Sequence, residues 1–190
     1  VRAGAGAVAT QNVTDPSIGN EMLDLMAQGL DAPSALASVM DDRPFAQYRQ
    51  VTAVDLKGNI AERTGSEILG THAVSHGHQC VAAGNLLSST GVPAAMTEGF
   101  AQHAGSHLAE RLLCALEAGV AAGGEEGPTH SAALLVAGEN VWPLVDLRVD
   151  WSDDPVSDLR DLWLRYQPQM NDYLDRALNP AVAPAYGVPG

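Results

Sequence analysis

The residues best suited to chemistry in this sequence include three charges in its last third. Asp146, Arg148 and Asp150 alternate with apolar residues over one short run. In a β strand this period of two places all three charges on one face. A guanidinium between two carboxylates fits the geometry of a paired arginine, so the pattern predicts an ion-paired ladder. Two interpretations follow: a salt-bridged strand at the edge of a sheet, or the rigid polar rim of a pocket.

A second group consists of polar residues at the ends of predicted strands. Such side chains can converge on one site where sheets stack, because sites often form from the ends of separate strands. No member of the group is a motif by itself, so the prediction depends on their convergence. The predicted substrate-binding residues are Gln11, Thr14, Arg49, Ser131, Asp146 and Arg148, with Asn12, Thr64 and Asn85 at neighbouring strand ends.

Histidines form the third group. His103 and His107 lie four apart on a predicted helix, and His72, His76 and His78 lie at the entry to a predicted strand. Zinc sites use histidines four apart on a helix, but the glutamate of the H-E-x-x-H motif is missing. The spacing therefore favours surface or pocket histidines over a metal site, and neither a metal nor another cofactor is predicted.

Composition excludes several classes of function. The chain has 190 residues and a net charge of −13. This length fits one domain with a sizeable core. The negative charge argues against nucleic acid and against anionic membrane surfaces, since both require clustered lysine and arginine. No uncharged run is long enough to span a bilayer, so no membrane partner is predicted.

The two cysteines, Cys80 and Cys114, form neither a disulfide framework nor a C-x-x-C motif. Each lies in an apolar stretch, so both are predicted to be core residues rather than nucleophiles. This cysteine usage favours a reduced, cytoplasmic protein. The chain starts at Val1 with a strand-like run and no charged leader, so no signal peptide is predicted.

Alternating apolar residues and turn residues predict two hairpins. The first runs from Val51 to Leu56, turns at Lys57–Asn59 and returns from Ile60 to Thr64. The second joins Ala132–Ala137 to Trp142–Val149 through Gly138-Glu139-Asn140. Two further strands are predicted at Arg2–Gln11 and His78–Asn85.

Helical spacing and capping residues predict the helices. Thr14 or Asp15 can cap a first helix with Pro16 at its first position, and Asp31 introduces a second. Asp154 caps a later helix, which Pro168 interrupts. The ranges after the first helix are Ala32–Met40, Pro93–Gln102, Leu108–Ala122, a stretch from Pro155 to Tyr166, and Met170–Leu178. We expect one domain over residues 1–166 and a helix with a proline-rich, irregular tail over residues 167–190.

Several segments resemble one protein family in their order and spacing. They are VRAGAGAVATQNVTDP, QYRQ, VDLKGNIAERTGS, CVAAGNLL, LAERLLCALEAGVAAGG, SAALLV, PLVDLRVD and DPVSDLR. On these segments the chain resembles the bacterial and archaeal domain of unknown function 1028 family over Val1 to Tyr166. That family is grouped with the N-terminal nucleophile (Ntn) hydrolases. The resemblance implies an α/β (α+β) fold, a four-layer α-β-β-α sandwich with two antiparallel sheets face to face and helices outside.

The resemblance also implies a catalytic arrangement. An Ntn hydrolase cleaves amides with an N-terminal Thr, Ser or Cys, whose own α-amino group is the base. Family members carry strands ahead of the point where this chain starts, and Val1 cannot be the nucleophile. We therefore expect a segment absent here to supply it, and a separate N-terminal segment is one form that this partner can take. By analogy Asn85 is the candidate oxyanion donor, and Arg49 and Arg148 are candidates for binding a substrate carboxylate, with Asp146 and Asp150 holding Arg148.

These observations predict an amidohydrolase that acts on a small amide or cyclic imide. The alternative is a sandwich domain that has lost its chemistry and serves as an assembly or binding module. The residue after the initiator Met of the full gene product distinguishes the two, because Thr, Ser or Cys there favours the enzyme. A metal-dependent hydrolase built on the histidines is a distant third. The Ala- and Gly-rich composition further predicts self-association, most simply as a homodimer.

Overall fold

A computed structural model describes residues 1–185 of the chain. Within that range the strands are β1 (Gly6–Asn12), β2 (Arg49–Asp55), β3 (Ile60–Thr64), β4 (Ala73–Gly77), β5 (Cys80–Gly84), β6 (Ala132–Ala137) and β7 (Pro143–Val149). The helices are α1 (Ser17–Ala27), α2 (Ala32–Met40), α3 (Val92–Gln102), α4 (Leu108–Ala121), α5 (Pro155–Tyr166) and α6 (Met170–Leu178).

Strands β1, β2 and β3 form an antiparallel sheet in that order. The predicted hairpin of β2 and β3 is confirmed, since the two strands pair antiparallel. In its turn the Asp55 carboxylate accepts hydrogen bonds from the backbone N–H groups of Lys57 and Asn59. The first strand begins four residues later than predicted. Arg2 instead forms an isolated bridge with Gly6, and the residues between them form a turn.

Helices α1 and α2 share a hydrophobic core with this sheet. Side chains such as Ile18, Met22 and Met40 are fully buried there with Val51. Helix α2 starts as predicted, with the Asp31 side chain accepting from the Ser34 N–H at 2.8 Å. Helix α1 starts one residue late, because Pro16 occupies the N-cap position rather than the first helical position.

The second sheet, β4 paired with β5, was only half predicted. Strand β4 lies where the sequence indicated a loop, and β5 is shorter than the predicted strand at both ends. His78 and Gln79 form the turn between them, with Gln79 at φ 55°. Helices α3 and α4 pack closely beside this hairpin at Gly99, where a Cβ atom would lie 2.8 Å from the Ala118 side chain.

The hairpin of β6 and β7 is confirmed within one residue of its predicted bounds, and helices α4 and α5 pack on it. The fully buried Trp163 of α5 is central to this second core. The predicted interruption at Pro168 is also confirmed, since a short 3-10 helix over Gln167–Gln169 separates α5 from α6. Residues 186–190, the end of the predicted proline-rich tail, lie outside the described residues.

The fold is therefore α+β, with helices packed on antiparallel sheets. The described residues form three sheets rather than the predicted two, because β5 and β6 do not pair with each other. Across residues 1–185 no helix combines the length and the apolar character needed to cross a membrane.

Candidate functional site

The predicted polar residues of the first sheet meet at one end of it. Strand pairing places Gln11 opposite Gln50 and Gln50 opposite Thr64. The Gln11 side-chain amide donates to Gln50, and Gln50 Nε2 donates to Thr64 Oγ1 at 3.3 Å. Gln50 is fully buried, so this chain of hydrogen bonds satisfies polar groups that would be costly to bury unpaired. We call this end of the sheet the strand-end site; its residues are Gln11, Asn12, Arg49, Gln50, Thr64 and the neighbouring Asn85.

Asn12 connects the strand-end site to the rest of the molecule. Its Nδ2 donates to the Tyr48 carbonyl at 2.8 Å, and its Oδ1 accepts from the Leu69 N–H at 3.2 Å. The same oxygen lies 3.4 Å from Asn85 Nδ2, which donates to it. Asn12 has φ 71°, a left-handed conformation that asparagine tolerates better than most residues. The residue thus ends β1 and fixes the position of Asn85.

The backbone after Asn85 is strained. Leu86 has φ 52°, which is unfavourable for a residue with a Cβ atom. Hydrogen bonds hold it on both sides: the Leu86 N–H donates to the Leu69 carbonyl at 3.1 Å, and the Leu86 carbonyl accepts from the Glu126 N–H at 2.8 Å. Strain maintained by such surroundings clusters at functional sites. The Asn85 side chain is therefore held by its own contact and by the chain that follows it.

Two buried polar atoms at this end have no hydrogen-bond partner among the described residues. They are Thr10 Oγ1 and Arg49 Nε. Arg49 lies opposite Asn12 in the pairing of β1 with β2, and within residues 1–185 its guanidinium forms no ion pair. Buried polar atoms are usually paired, so these two atoms are exceptions at this end of the sheet. A half-buried arginine without a counter-charge is suited to a carboxylate.

The structure does not bring every predicted substrate-binding residue to this place. Thr14 is close, since its hydroxyl donates to the Asn12 carbonyl at 3.3 Å. Ser131 precedes β6 and is exposed, whereas Asp146 and Arg148 lie on β7. Within residues 1–185 none of these three shares a hydrogen bond with the strand-end site.

The charged ladder on β7 is an exposed ion pair. Arg148 donates to Asp150, and the two side chains are 67% and 76% exposed. Hydrogen bonding to Asp150 raises the pKa of Arg148. Asp146 is exposed on the same strand but makes no hydrogen bond to Arg148 among the described contacts. Arg148 is therefore bonded to one of the two predicted carboxylates, that of Asp150. This geometry is typical of the sheet-edge alternative, and pairs of this kind contribute little to stability.

The histidines have local structural contacts. His103 ends α3, with its Nδ1 2.8 Å from the Gly99 carbonyl, whereas His107 caps α4 by accepting from the Ala109 N–H. The prediction that both lie on one helix is therefore wrong. Among the described residues no group of three or more His, Cys, Asp or Glu side chains could hold a metal ion.

Neither thiol is activated. Burial raises the pKa of Cys80, and it also raises the pKa of Cys114, which donates to Glu110 at 3.4 Å. Reactive cysteines have lowered pKa values, and neither of these thiols has one. The prediction that both cysteines are core residues is wrong, since each side chain is only half-buried.

Some residues of the site were not predicted. Leu86 carries no signal in the sequence, because a left-handed leucine is a consequence of long-range packing. Gln50 lies beside Arg49 at the polar end of the predicted hairpin but was left out of the predicted substrate-binding residues. Asn12 was noted only as a neighbour, although Asn before a turn is a residue type that tolerates positive φ. That signal could have identified Asn12 as the end of β1.

The fold and the strand-end site together define an α+β protein with amide and guanidinium groups held at the end of an antiparallel sheet. The chain belongs to the family of unknown function DUF1028, whose model matches residues 1–159. Its fold is similar to the crystal structure of protein SPO2555 from Silicibacter pomeroyi, of the same family, with 32% sequence identity and a TM-score of 0.80. The match covers 90% of this chain and 74% of that chain. No curated protein matches the chain.

Proposed function

We propose that the strand-end site binds a small substrate and belongs to an Ntn-hydrolase-like amidohydrolase acting on a small amide or cyclic imide. The observation that supports this most is the contact of Asn85 with Asn12 beside Arg49, a half-buried cation without an acidic partner in residues 1–185. The proposal includes the four-layer α-β-β-α arrangement of that superfamily.

Each residue has a distinct role in the proposed reaction. The Arg49 guanidinium binds a carboxylate of the substrate through charge-assisted hydrogen bonds. One N–H of the Asn85 amide donates to Asn12, which leaves the second N–H for the oxyanion that develops on the attacked carbonyl. Asn12 acts through Asn85 and is a positioning residue. The nucleophile is an N-terminal Thr, Ser or Cys from outside the described residues, with its α-amino group as base.

A second candidate is a binding module without catalysis. It is favoured by the side chains of the strand-end site, which are amides, hydroxyls and one guanidinium. No pair of a nucleophile and a base occurs among them in the described part of the chain, and both cysteines have raised pKa values. In this alternative Arg49 and Asn85 bind the same carboxylate and amide groups, and the ligand leaves unchanged.

One titration tests both candidates. N-acyl amino acids and five-membered cyclic imides are added to the labelled full-length product of the native gene, which would carry the proposed nucleophile, and the Asn85 side-chain amide is followed by NMR while products are quantified by chromatography. Hydrolysis that the Asn85→Ala variant loses supports the amidohydrolase. Saturable binding without product supports the binding module. If no compound moves the Asn85 resonance and none is hydrolysed, both candidates are rejected.

A further inference from the structure

Large apolar side chains are exposed on four loops that meet at the strand-end site. The loops lie between β1 and α1, between α2 and β2, between β3 and β4, and between β5 and α3. Exposed apolar residues that are scattered singly are ordinary on a protein surface, whereas a group of them around one place marks a site of interaction. We call this group the apolar collar; its residues are Val13, Phe45, Leu69 and Leu86.

Hydrogen bonds and chain continuity place three residues of the apolar collar beside Asn12. The Leu69 N–H donates to the Asn12 side chain at 3.2 Å, and the Leu86 N–H donates in turn to the Leu69 carbonyl at 3.1 Å. The Leu86 side chain lies against Gly70, where a Cβ atom would come within 2.9 Å of it. Val13 follows Asn12 directly in the chain. These three side chains therefore lie next to the asparagine that ends β1.

Phe45 reaches the same place from the loop before β2. Its carbonyl accepts from the Tyr48 N–H at 3.1 Å, and the Tyr48 carbonyl accepts from the Asn12 side chain. Arg43 fixes this loop to the segment before α1, since its guanidinium pairs with Asp15 at 2.8 Å. The loop is thus held at both ends, yet Phe45 is 65% exposed. A fixed loop therefore presents an aromatic ring to solvent beside the strand-end site.

Two residues of the apolar collar have strained backbones. Phe45 and Leu86 have φ 64° and 52°, a left-handed conformation that bulky residues rarely adopt. Five non-glycine residues within residues 1–185 have positive φ, and four of them lie within or at the start of the loops that bear the collar: Asn12, Asp42, Phe45 and Leu86. Neither burial nor backbone preference accounts for phenylalanine at position 45. Strained residues cluster at functional sites, so binding accounts for these exposed side chains better than stability does.

The size and setting of the apolar collar indicate a small ligand. A stable protein–protein interface takes about 20–30 residues from each partner, whereas the collar has four. The collar also adjoins Arg49 and Asn85, which are the polar groups of the strand-end site. Small-molecule sites combine apolar walls with a few polar groups that fix the orientation of the ligand. A molecule with a carboxylate, an amide and an apolar side chain matches this combination.

We propose that the apolar collar binds an apolar side chain of the ligand, so that the strand-end site selects N-acyl amino acids with a branched aliphatic or aromatic side chain. The inference rests on the proposed function, since it takes Arg49 and Asn85 as the groups that bind the carboxylate and the amide. Phe45 and Leu69 are the specificity-determining residues, because they are the most exposed of the collar, at 65% and 54%. Arg49 binds what all such ligands share, and the collar distinguishes among them.

The test compares two probes that share the carboxylate and the amide, N-acetylglycine and N-acetyl-L-leucine. Their affinities for the full-length product of the native gene are measured by calorimetric titration, or as kcat/KM where the probes are hydrolysed. We expect N-acetyl-L-leucine to be favoured about tenfold or more, because its side chain leaves water. Leu69→Ser should lower this ratio about threefold or more. Leu164→Ser, at a similarly exposed leucine of α5 (56%), should leave the ratio unchanged.

A second variant, Phe45→Asn, separates binding from stability. Asparagine tolerates the left-handed backbone at this position and removes the ring. We therefore expect a thermal midpoint at least equal to that of the wild type, together with a ratio of the two affinities that is about threefold lower or more. A phenylalanine kept only for stability would not give this combination, because its loss would lower the midpoint and leave the ratio unchanged.

Any of four results would overturn the inference. Equal affinity for the two probes, with both weakened by Arg49→Met, would leave the proposed function standing and remove the role of the collar. A preference for N-acetyl-L-leucine that neither Leu69→Ser nor Phe45→Asn reduces would place the selectivity elsewhere. An unchanged ratio together with a dimer that Leu69→Ser dissociates in sedimentation would assign the collar to a second copy of the chain. If neither probe binds or is hydrolysed, the inference is overturned and the proposed function fails for N-acyl amino acids.

Discussion

The side-chain nitrogen of Asn85 lies 3.4 Å from the side-chain oxygen of Asn12, although the two residues are 73 positions apart in the chain. The contact joins the end of β1 to the segment that follows β5, so it connects two separate sheets. Asn12 makes this contact from a left-handed conformation and also bonds Tyr48 and Leu69. The geometry of the strand-end site therefore depends on Asn12 more than on any other residue.

Substitution of Asn12 separates the cost of its hydrogen bonds from the cost of its conformation. Asn12→Gly keeps the left-handed backbone and loses the bonds to Tyr48, Leu69 and Asn85, so we expect it to lower the free energy of unfolding by about 2–3 kcal/mol. Asn12→Ala should lose about 1 kcal/mol more, because alanine disfavours positive φ. Urea unfolding measures both values. Equal stability of the two variants would contradict the role given to φ.

Arg49 should matter for binding and little for stability. It has no ion pair in the described chain, so Arg49→Met should change the free energy of unfolding by less than about 1 kcal/mol. Loss of a charge-assisted hydrogen bond should weaken binding of a carboxylate ligand about tenfold or more. Calorimetric titration with an N-acyl amino acid measures the affinity.

Arg148→Met is the matched control for Arg49, because Arg148 is an exposed arginine outside the strand-end site. We expect it to bind the ligand like the wild type. Equal losses of affinity in both variants would mean that the ligand responds to overall charge rather than to Arg49.

Local patterns predicted the elements better than the site. The hairpin of β2 and β3 and the start of α2 at Asp31 were predicted, because turn residues and caps act within a few positions. Strand β4 was missed because AVSHG is short and has little alternation. The meeting of Asn12 with Asn85 could not be read from spacing, since it results from the packing of one sheet on another. The exposure of Arg148 could not be predicted from spacing either, because it depends on which face of β7 is covered by other elements.

Gly65 provides a test of close packing beside the strand-end site. A Cβ atom there would lie 2.1 Å from the Gln47 carbonyl oxygen, which is backbone and cannot move aside without disturbing the start of β2. We expect Gly65→Ala to lower the free energy of unfolding by about 2 kcal/mol or more, as overpacking does. In the matched variant Gly19→Ala, within α1, the new Cβ meets nothing within 4 Å, so stability should rise by about 0.5–1 kcal/mol. Thermal unfolding of the two proteins should therefore shift in opposite directions.

The last prediction concerns acid stability and the contact between α4 and α5. Arg160 bonds both oxygens of Glu110 at 2.7 Å and both oxygens of Glu117 at 2.8 Å. Burial acts to raise the pKa of Glu110, but hydrogen bonds from Arg160 and Trp163 outweigh it and lower the pKa below the ordinary 4.5. A carboxylate with a lowered pKa in the folded state stabilises the fold above its unfolded pKa. That contribution is lost as the pH falls from about 4.5 through the lower folded value.

Arg160→Met should therefore be less stable at pH 7 and lose less stability than the wild type between pH 4.5 and pH 2. Asp15, whose pKa the hydrogen bond from Arg43 lowers to about 2, is unchanged in both proteins and contributes equally. Urea midpoints measured across this range decide the matter, with Arg148→Met as the control for an exposed pair. Parallel pH profiles for Arg160→Met and the wild type would show that Glu110 titrates independently of Arg160.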